Sequence, residues 1–366
     1  MTDIETNFVS PMKYIVAGKV NKKVAVGLSG GVDSSVSAYL LNEQGYEVTG
    51  VYIQCWAERA DGCRADEDRA DAAAVAGVLG IKFEHLDFIK EYKEKVIDYF
   101  YKEYQAGRTP NPDVMCNRDI KFGMFMKWAE ENGFDMIATG HYARISEKDG
   151  KYSLLKGVDT SKDQSYFLYL LDQEQLSRTL FPVGDMVKAD VRVLAEKAGL
   201  PTYRKPDSVG ICFIGEVDIK EFLKKRINTV TGNVVDKTGK AIGQHEGAQF
   251  YTIGQRHGFT VDEYTGLPMY VIGKNMDENE LIVGFANDVN RDSFCVSELH
   301  WINDKPVDEF VCDVRIRHLG ELHKSIVKLE KGVAEVKMEE PIFGVAPGQS
   351  AVFYKGDVVL GGGIIE

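Results

Sequence analysis

The chain is poor in cysteine for its length: six thiols (Cys55, Cys63, Cys116, Cys212, Cys295 and Cys312) among 366 residues, too few for a disulfide framework. No Cys-x-x-Cys pair occurs, which disfavours a zinc ribbon. No stretch approaches the ~20 consecutive apolar residues of a membrane helix. The segment from Met1 to Pro11 carries Asp3 and Glu5 in place of a basic-then-apolar leader. Basic excess is missing too: 44 Lys plus Arg stand against 56 acids, for a net charge of −12. That balance excludes a strongly basic nucleic-acid coat but leaves room for a local basic face. With 44% apolar residues the chain has enough material for two or three cored domains, and a soluble, cytoplasmic protein without a membrane partner is expected.

What is present in the first half is alternation. An apolar run at Lys23–Leu28 and strands at Glu47–Gln54, Lys82–Asp87 and Met136–Thr139 are separated by helical patterns at Ser34–Gln44, Asp66–Leu79, Tyr92–Tyr104 and Ile120–Glu131. The pattern predicts an α/β domain, a mostly parallel sheet with helices on both faces and ligands beyond the strands' carboxyl ends. From about Asn228, Gly-rich turns separate short β-branched or aromatic runs such as Gln249–Ile253, and helical periodicity fades. From Val289 onward short strands and turn signals at Pro347-Gly348 and Lys355-Gly356-Asp357 predict a small barrel or sandwich. The expected division is residues 1–217, 218–286 and 287–366.

Three motifs carry chemistry. Ser29-Gly30-Gly31-Val32-Asp33-Ser34-Ser35 follows a strand and opens a helix, where free backbone N–H groups and the helix dipole attract an anion. Asp33 there serves either as a Mg²⁺ ligand or as a helix cap. A Walker A lysine is absent, which disfavours γ-phosphoryl transfer. The second motif, Asn111-Pro112-Asp113-Val114-Met115-Cys116-Asn117-Arg118, sets a carboxylate three residues before a thiol. A nearby carboxylate raises a thiol pKa, so a reactive Cys116 needs help from Arg118 or a helix N-terminus; the bland alternative is a structural cysteine beside a cap. The third, Asp207 to Gly215, holds Cys212 in an apolar, strand-like stretch, where a merely buried thiol is the plain reading.

The loop at Ser29–Ser35 resembles the PP-loop of ATP pyrophosphatases, which cleave between the α- and β-phosphates. Together with the other two motifs, Ala138–Ala143, Lys162–Phe167 and Pro347–Ser350, it makes the chain resemble the tRNA-specific 2-thiouridylase family from Lys23 to Ile365. The resemblance implies a PP-loop domain, a small central domain and a C-terminal β-barrel that binds tRNA. It implies a sulfurtransferase that adenylates the 2-oxygen of the tRNA wobble uridine with ATP and Mg²⁺, releases pyrophosphate, and replaces the oxygen by sulfur.

By resemblance, Cys212 receives a persulfide, Cys116 releases or resolves that sulfur, and Asp113 is the acid/base. ATP falls to Gly27, Leu28, Ser29, Gly30, Gly31, Val32, Asp33, Ser34, Ser35, Ile53 and Gly140. tRNA falls to Asn111, Pro112, Asp113, His141, Lys162, Asp163, Gln164, Arg315, Ile316 and Gln349. Two positions depart from the family: Ile53 stands where many relatives place Met, and Ile316 replaces an aromatic. Implied partners are tRNA and a persulfide donor, either a cysteine desulfurase or a sulfur relay, with a monomer favoured. Basic clusters at Lys220, Lys224, Lys225 and Arg226, and between Asp313 and Lys331, are the candidate RNA-facing charge in a chain of pI about 5.2. Three other readings compete: an amide-forming PP-loop ligase, a non-catalytic tRNA-binding protein, and an enzyme whose sulfur comes from an iron–sulfur cluster on Asp113, Cys116 and Cys212.

Overall fold

The computed structural model describes residues 21–56, 65–207, 210–215, 217–262 and 266–366; Cys63 and the pair Ser208-Val209 lie outside them. The first elements are β1 (Lys23–Gly27), α1 (Val32–Glu43), β2 (Glu47–Gln54), α2 (Ala65–Leu79) and β3 (Lys82–Asp87). A helical run follows: α3 (Ile89–Tyr92), a π-helical turn at Lys93–Ile97, and α4 (Asp98–Gln105). Next come α5 (Pro112–Met115), a longer π-helical segment at Cys116–Met124, α6 (Phe125–Glu131) and β4 (Met136–Ala138). After the hairpin β5 (Ala143–Lys148) and β6 (Lys151–Lys156) come α7 (Gln173–Ser177), β7 (Thr179–Leu180) and α8 (Lys188–Lys197).

Strands β3-β2-β1-β4-β7 form one sheet in which every pairing is parallel. Alternation along β1 separates two cores, as the two-residue side-chain period requires. Val24 and Val26 pack with α1, α2 and α8, while Ala25 packs with the α3–α6 layer. The chain crosses from edge strand β3 to β4 on the other side of β1, so the strand order reverses beside β1. A ligand crevice is expected where it does.

The middle segment holds α9 (Ile219–Lys224), β8 (Gly232–Val235), β9 (Ala241–His245), β10 (Tyr270–Asn275) and β11 (Glu280–Gly284), in sheet order β10-β11-β8-β9. The strand expected at Gln249–Ile253 is absent: Ala248–Phe250 is a 3₁₀ turn, because Gly247 at φ 135° turns the chain before any ladder can form. After α10 (Ala286–Val289), strands β12 (Asn290–Trp301), β13 (Glu309–Arg315), β14 (His323–Glu330), β15 (Val333–Phe343), β16 (Ser350–Lys355) and β17 (Val358–Ile365) follow. They close into a barrel through the β12–β17 pairing.

The barrel does not stand apart from the first domain. Strand β6 pairs with β17 at Val358↔Leu155, so the β5–β6 hairpin extends the barrel sheet. A buried ion pair adds to this seam: Arg315 Nη1 donates to Asp163 Oδ2 at 2.7 Å, with side chains only 9% and 2% exposed. Asp163 Oδ1 also accepts from the amides of Gly157 and Ser165. Removing one partner of a buried pair leaves the other charge uncompensated. Asp163→Ala is therefore expected to cost about 3–5 kcal/mol, read as a lower urea midpoint than in the unaltered chain.

Candidate active site

The phosphate-type loop lies at the carboxyl end of β1. Gly31 occupies the N-cap of α1 with no side-chain cap, so the first-turn amides have no intrahelical acceptors. Serine hydroxyls shape the turn: Ser35 Oγ and Ser34 Oγ donate to the Gly31 carbonyl at 2.7 and 3.1 Å. The Gly31 amide donates to Ser29 Oγ at 3.3 Å. Thr202 Oγ1 braces Ser35 at 2.9 Å. Gly30 sits at φ +74°, and a Cβ there would collide with the Asp68 carbonyl. Gly140, just after β4, leaves no room either: a Cβ would lie 2.6 Å from the Ser34 amide nitrogen. Leu28 and Val32 are buried behind the loop. Ile53 is 6% exposed and packs into the core with Ala25 and Val51, while Gly27 ends β1.

Of the two sequence readings of Asp33, helix cap is not what its side chain does. Its carboxylate takes Lys188 Nζ at 2.7 Å on both oxygens and Tyr142 Oη at 2.7 Å. Lys188 also reaches Asp207 at 2.9 Å, alongside Lys162 at 2.6 Å and Arg192 at 2.5 Å. Burial would raise the Asp207 carboxyl, but Lys162 and Lys188 hold it well below the usual carboxylate range. Lys188 and Arg192 belong to no motif seen in the sequence, and Tyr142, inside the Ala138–Ala143 motif, was given no role there; only their meeting at Asp33 and Asp207 reveals them.

Asn111 caps α5, its Oδ1 accepting from the amides of Asp113 and Val114 at 3.2 and 3.4 Å, with Pro112 at the first helical position. From the barrel, Gln349 Nε2 donates to the carbonyls of Thr109 and Pro110 at 2.9 and 3.2 Å, which fixes the loop ahead of the cap. Cys116 is fully buried in the π-helical segment, and Cys212 is partly exposed. Their sulfurs are 3.5 Å apart.

Cys212 is not on a strand, as its apolar neighbours suggested. It rides a tight turn closed by an Ile211↔Gly215 bridge, with Phe213 at φ +66°, a conformation that costs about 1–3 kcal/mol outside glycine. Two hydrogen bonds hold that turn. The Cys212 amide donates to Asp113 Oδ1 at 2.9 Å, and Tyr92 Oη donates to the Cys212 carbonyl at 2.6 Å.

Arg118 does not assist the thiols: it pairs with Asp119 at 2.8 and 2.9 Å, exposed. Nor does a helix N-terminus, since Cys116 lies in the second turn of a continuous helical run. The cation at hand is Lys121, whose Nζ sits 3.5 Å from His141 Nε2 and 5.7 Å from the Phe213 ring centroid. The Cys116 hydrogen bond and Lys121 bring Cys212 down to about 7 against the opposing effect of burial. Burial and the same hydrogen bond push Cys116 well up. Burial raises Asp113. His141, buried and hydrogen-bonded to Thr139 at 2.7 Å, is driven well below its usual range by burial and by Lys121. It is therefore a neutral ring at neutral pH.

The remaining RNA-facing candidates are scattered. Gln164 accepts from the Tyr142 amide at 3.0 Å. Asp163 and Arg315 are the buried pair already described, and Ile316 packs into the barrel core. The basic run at α9 is neutralised internally: Lys220 and Lys224 reach Glu246 at 2.7 and 3.0 Å, and Arg226 reaches Asp98 at 2.6 Å. Lys225 lies over the Phe222 ring. Between Asp313 and Lys331, Lys328 pairs with Glu330 at 2.6 Å.

Three family models match along the chain: a tRNA methyl transferase HUP domain at residues 22–216, a tRNA methyl transferase PRC-barrel domain at 220–285, and an aminomethyltransferase β-barrel domain at 291–365. Among curated relatives, the tRNA-specific 2-thiouridylase MnmA of Chromobacterium violaceum is 47% identical over 97% of this chain and 94% of its own length. That of Proteus mirabilis is 47% identical over 94% of this chain and 97% of its own. A distant likeness links the chain to the U34-tRNA thiolase NcsA of Methanococcus maripaludis with its [4Fe-4S] cluster, at 21% identity, 59% of this chain, 70% of that one and TM-score 0.38. Identity of this order with the two bacterial proteins, across all three segments, establishes that the chain belongs to the tRNA-specific 2-thiouridylase family.

Proposed function

We propose that this protein is a tRNA-uridine 2-sulfurtransferase that adenylates the wobble uridine at O2 and replaces that oxygen by sulfur from a persulfide. The observation that carries the reading is the 3.5 Å contact between Cys116 and Cys212, reached from the glycine-lined loop through Gly140, His141 and Lys121. The α1 amides, left without a side-chain cap at Gly31 in a loop whose glycines at 30 and 140 allow tight backbone packing, fit ATP phosphates. Asp33, freed from Lys188, would hold Mg²⁺, which neutralises charge on the departing pyrophosphate.

The base must leave the anticodon stack to reach the thiols. Uridine O2 attacks the α-phosphorus and pyrophosphate departs, which converts a hopeless oxide leaving group into AMP. The outer sulfur of a Cys212 persulfide attacks C2 and AMP leaves with the oxygen. Cys116 thiolate then attacks Cys212 Sγ, breaking the S–S bond to the base and leaving 2-thiouridine and a Cys116–Cys212 disulfide. In the other order, Cys116 first frees hydrosulfide, which attacks C2; the disulfide is the same. A thiol reductant supplies the two electrons that reset it. Asp113, with its raised pKa, exchanges the proton at the base.

Residues 1–217 would form the catalytic unit, 218–286 a connecting unit and 287–366 the tRNA-binding barrel. The sulfur arrives on a cysteine desulfurase or relay protein, and the enzyme works as a cytoplasmic monomer. Among the described residues no helix is long and apolar enough to cross a membrane.

An amide-forming ligase has no use for two thiols in contact. The cluster reading fits poorly: an Asp113 oxygen is engaged by the Cys212 amide, and no group of three His, Cys, Asp or Glu among the described residues is arranged to hold a metal ion. A non-catalytic RNA binder leaves the Gly140 cradle without purpose.

Three outcomes are expected. Cys116→Ser and Cys212→Ser each abolish 2-thiouridine, measured by mass spectrometry of nucleosides from tRNA incubated with ATP and persulfide donor, while tRNA-dependent pyrophosphate release persists; thiolation by either variant defeats the relay. Gly140→Ala lowers pyrophosphate release at least tenfold and also lowers the urea midpoint, because its Cβ would press on the Ser34 amide nitrogen. Alkylation of Cys212 by iodoacetamide rises with pH through a midpoint near 7, since the reactive thiolate forms as pH passes its pKa.

A further inference from the structure

The geometry points to Lys121 as a catalytic residue whose ammonium is the counter-ion of the Cys212 thiolate and of the persulfide formed on it. The inference rests on the sulfur-transfer reading and names a group that motif matching does not reach. Its first support is the backbone. In an α-helix, residue i+5 lies about 140° around the axis from residue i. In the π-helical segment Cys116–Met124, hydrogen bonds close at i+5, and Lys121 comes back over the turn that carries Cys116. Such widened turns recur at functional sites.

The second support is charge balance. Lys121 is largely shielded from solvent, and no carboxylate among the described residues forms an ion pair with it. A shielded cation needs a partner. The groups facing it are few: neutral His141 at 3.5 Å, the Phe213 ring at 5.7 Å, and Cys212, Cys116 and Asp113. Cys55 and Tyr92 also border the thiols, and burial keeps both protonated. One Asp113 oxygen is committed to the Cys212 amide. The Cys212 sulfur is left as the anion that completes the pair. Burial would lower Lys121, but Cys212 and Cys116 overcome it and raise its pKa.

The step this serves is sulfur acceptance. Cys212–S⁻ attacks the outer sulfur of a donor persulfide R–S–SH, an S–S bond forms between Cys212 and that sulfur, the donor's own S–S bond breaks, and R–S⁻ departs, leaving Cys212–S–SH. Electrons balance with no external oxidant. The ammonium favours the attacking thiolate and then the anion of the new persulfide. His141, unable to protonate beside it, keeps the ammonium aimed without competing for the charge.

The test is the pH dependence of Cys212 alkylation in the full chain, followed by mass spectrometry of its peptide, with neither ATP nor tRNA present. In Lys121→Met and Lys121→Gln the midpoint moves up by at least one unit, so labelling at pH 7 slows about fivefold while the high-pH plateau is retained. Lys121→Arg restores the original midpoint. Should both neutral variants fail to fold, reductive methylation decides the matter: Cys212→Ser strips Lys121 of its counter-ion and its dimethylation rises about fivefold over the unaltered chain. An unmoved midpoint in a folded neutral variant overturns the proposal, as does unchanged Lys121 methylation in Cys212→Ser. If the midpoint moves but thiolation survives loss of either cysteine, the sulfur-transfer reading falls and the ion pair stands.

Discussion

The hydrogen bond from the Cys212 amide to Asp113 is the tie on which the site depends. It joins two stretches 99 residues apart in the chain, one on a capped helix and one on a turn that a non-glycine residue enters at positive φ. Without it the strained turn is tied to the other elements by the Tyr92 hydroxyl at its carbonyl, beside its own Ile211↔Gly215 bridge. With it, the two sulfurs are held in contact before any substrate arrives, so the order needed for sulfur transfer is established during folding. Asp113 is thus a strut in the resting protein as well as the proposed acid/base.

Electrostatics explains how an acidic protein can be built around anionic chemistry. Its acids are deployed as counter-ions. Asp33 and Asp207 gather Lys162, Lys188 and Arg192 beside the loop, and Asp68 and Asp71 hold Lys205 nearby. A store of positive charge thereby sits beside the Ser29–Ser35 loop while net charge stays negative.

Much of this was legible in the amino-acid order: the β-rich run of β2 leaves little choice, and β3 begins and ends where expected although it is mostly polar, fixed by the glycine-ended helix before it. The loop at Ser29–Ser35 was equally plain, because glycines and hydroxyls at a strand–helix junction have few other uses. What escaped was decided by pairing across distance. The β5–β6 hairpin has a Asp149-Gly150 turn with both residues at positive φ, a signal hidden between polar strands whose partner lies some 200 residues on. Lys121 escaped because a 3.6-residue period assigns it to another face of the helix; only the widened turn brings it round. Cys212 read as strand since apolar flanks look alike in a ladder and in a bridged turn.

The hairpin has one more consequence. Its outer strand finishes a sheet begun more than a hundred residues later, so the first domain made on its own would present β6 with its hydrogen-bonding edge bare. Unpaired edges recruit whatever strand comes near, and during synthesis that edge stays open until β17 has been made. Strand β17 thus covers an aggregation-prone edge left by the hairpin, and the order in which the strands are made bears on how long that edge is exposed.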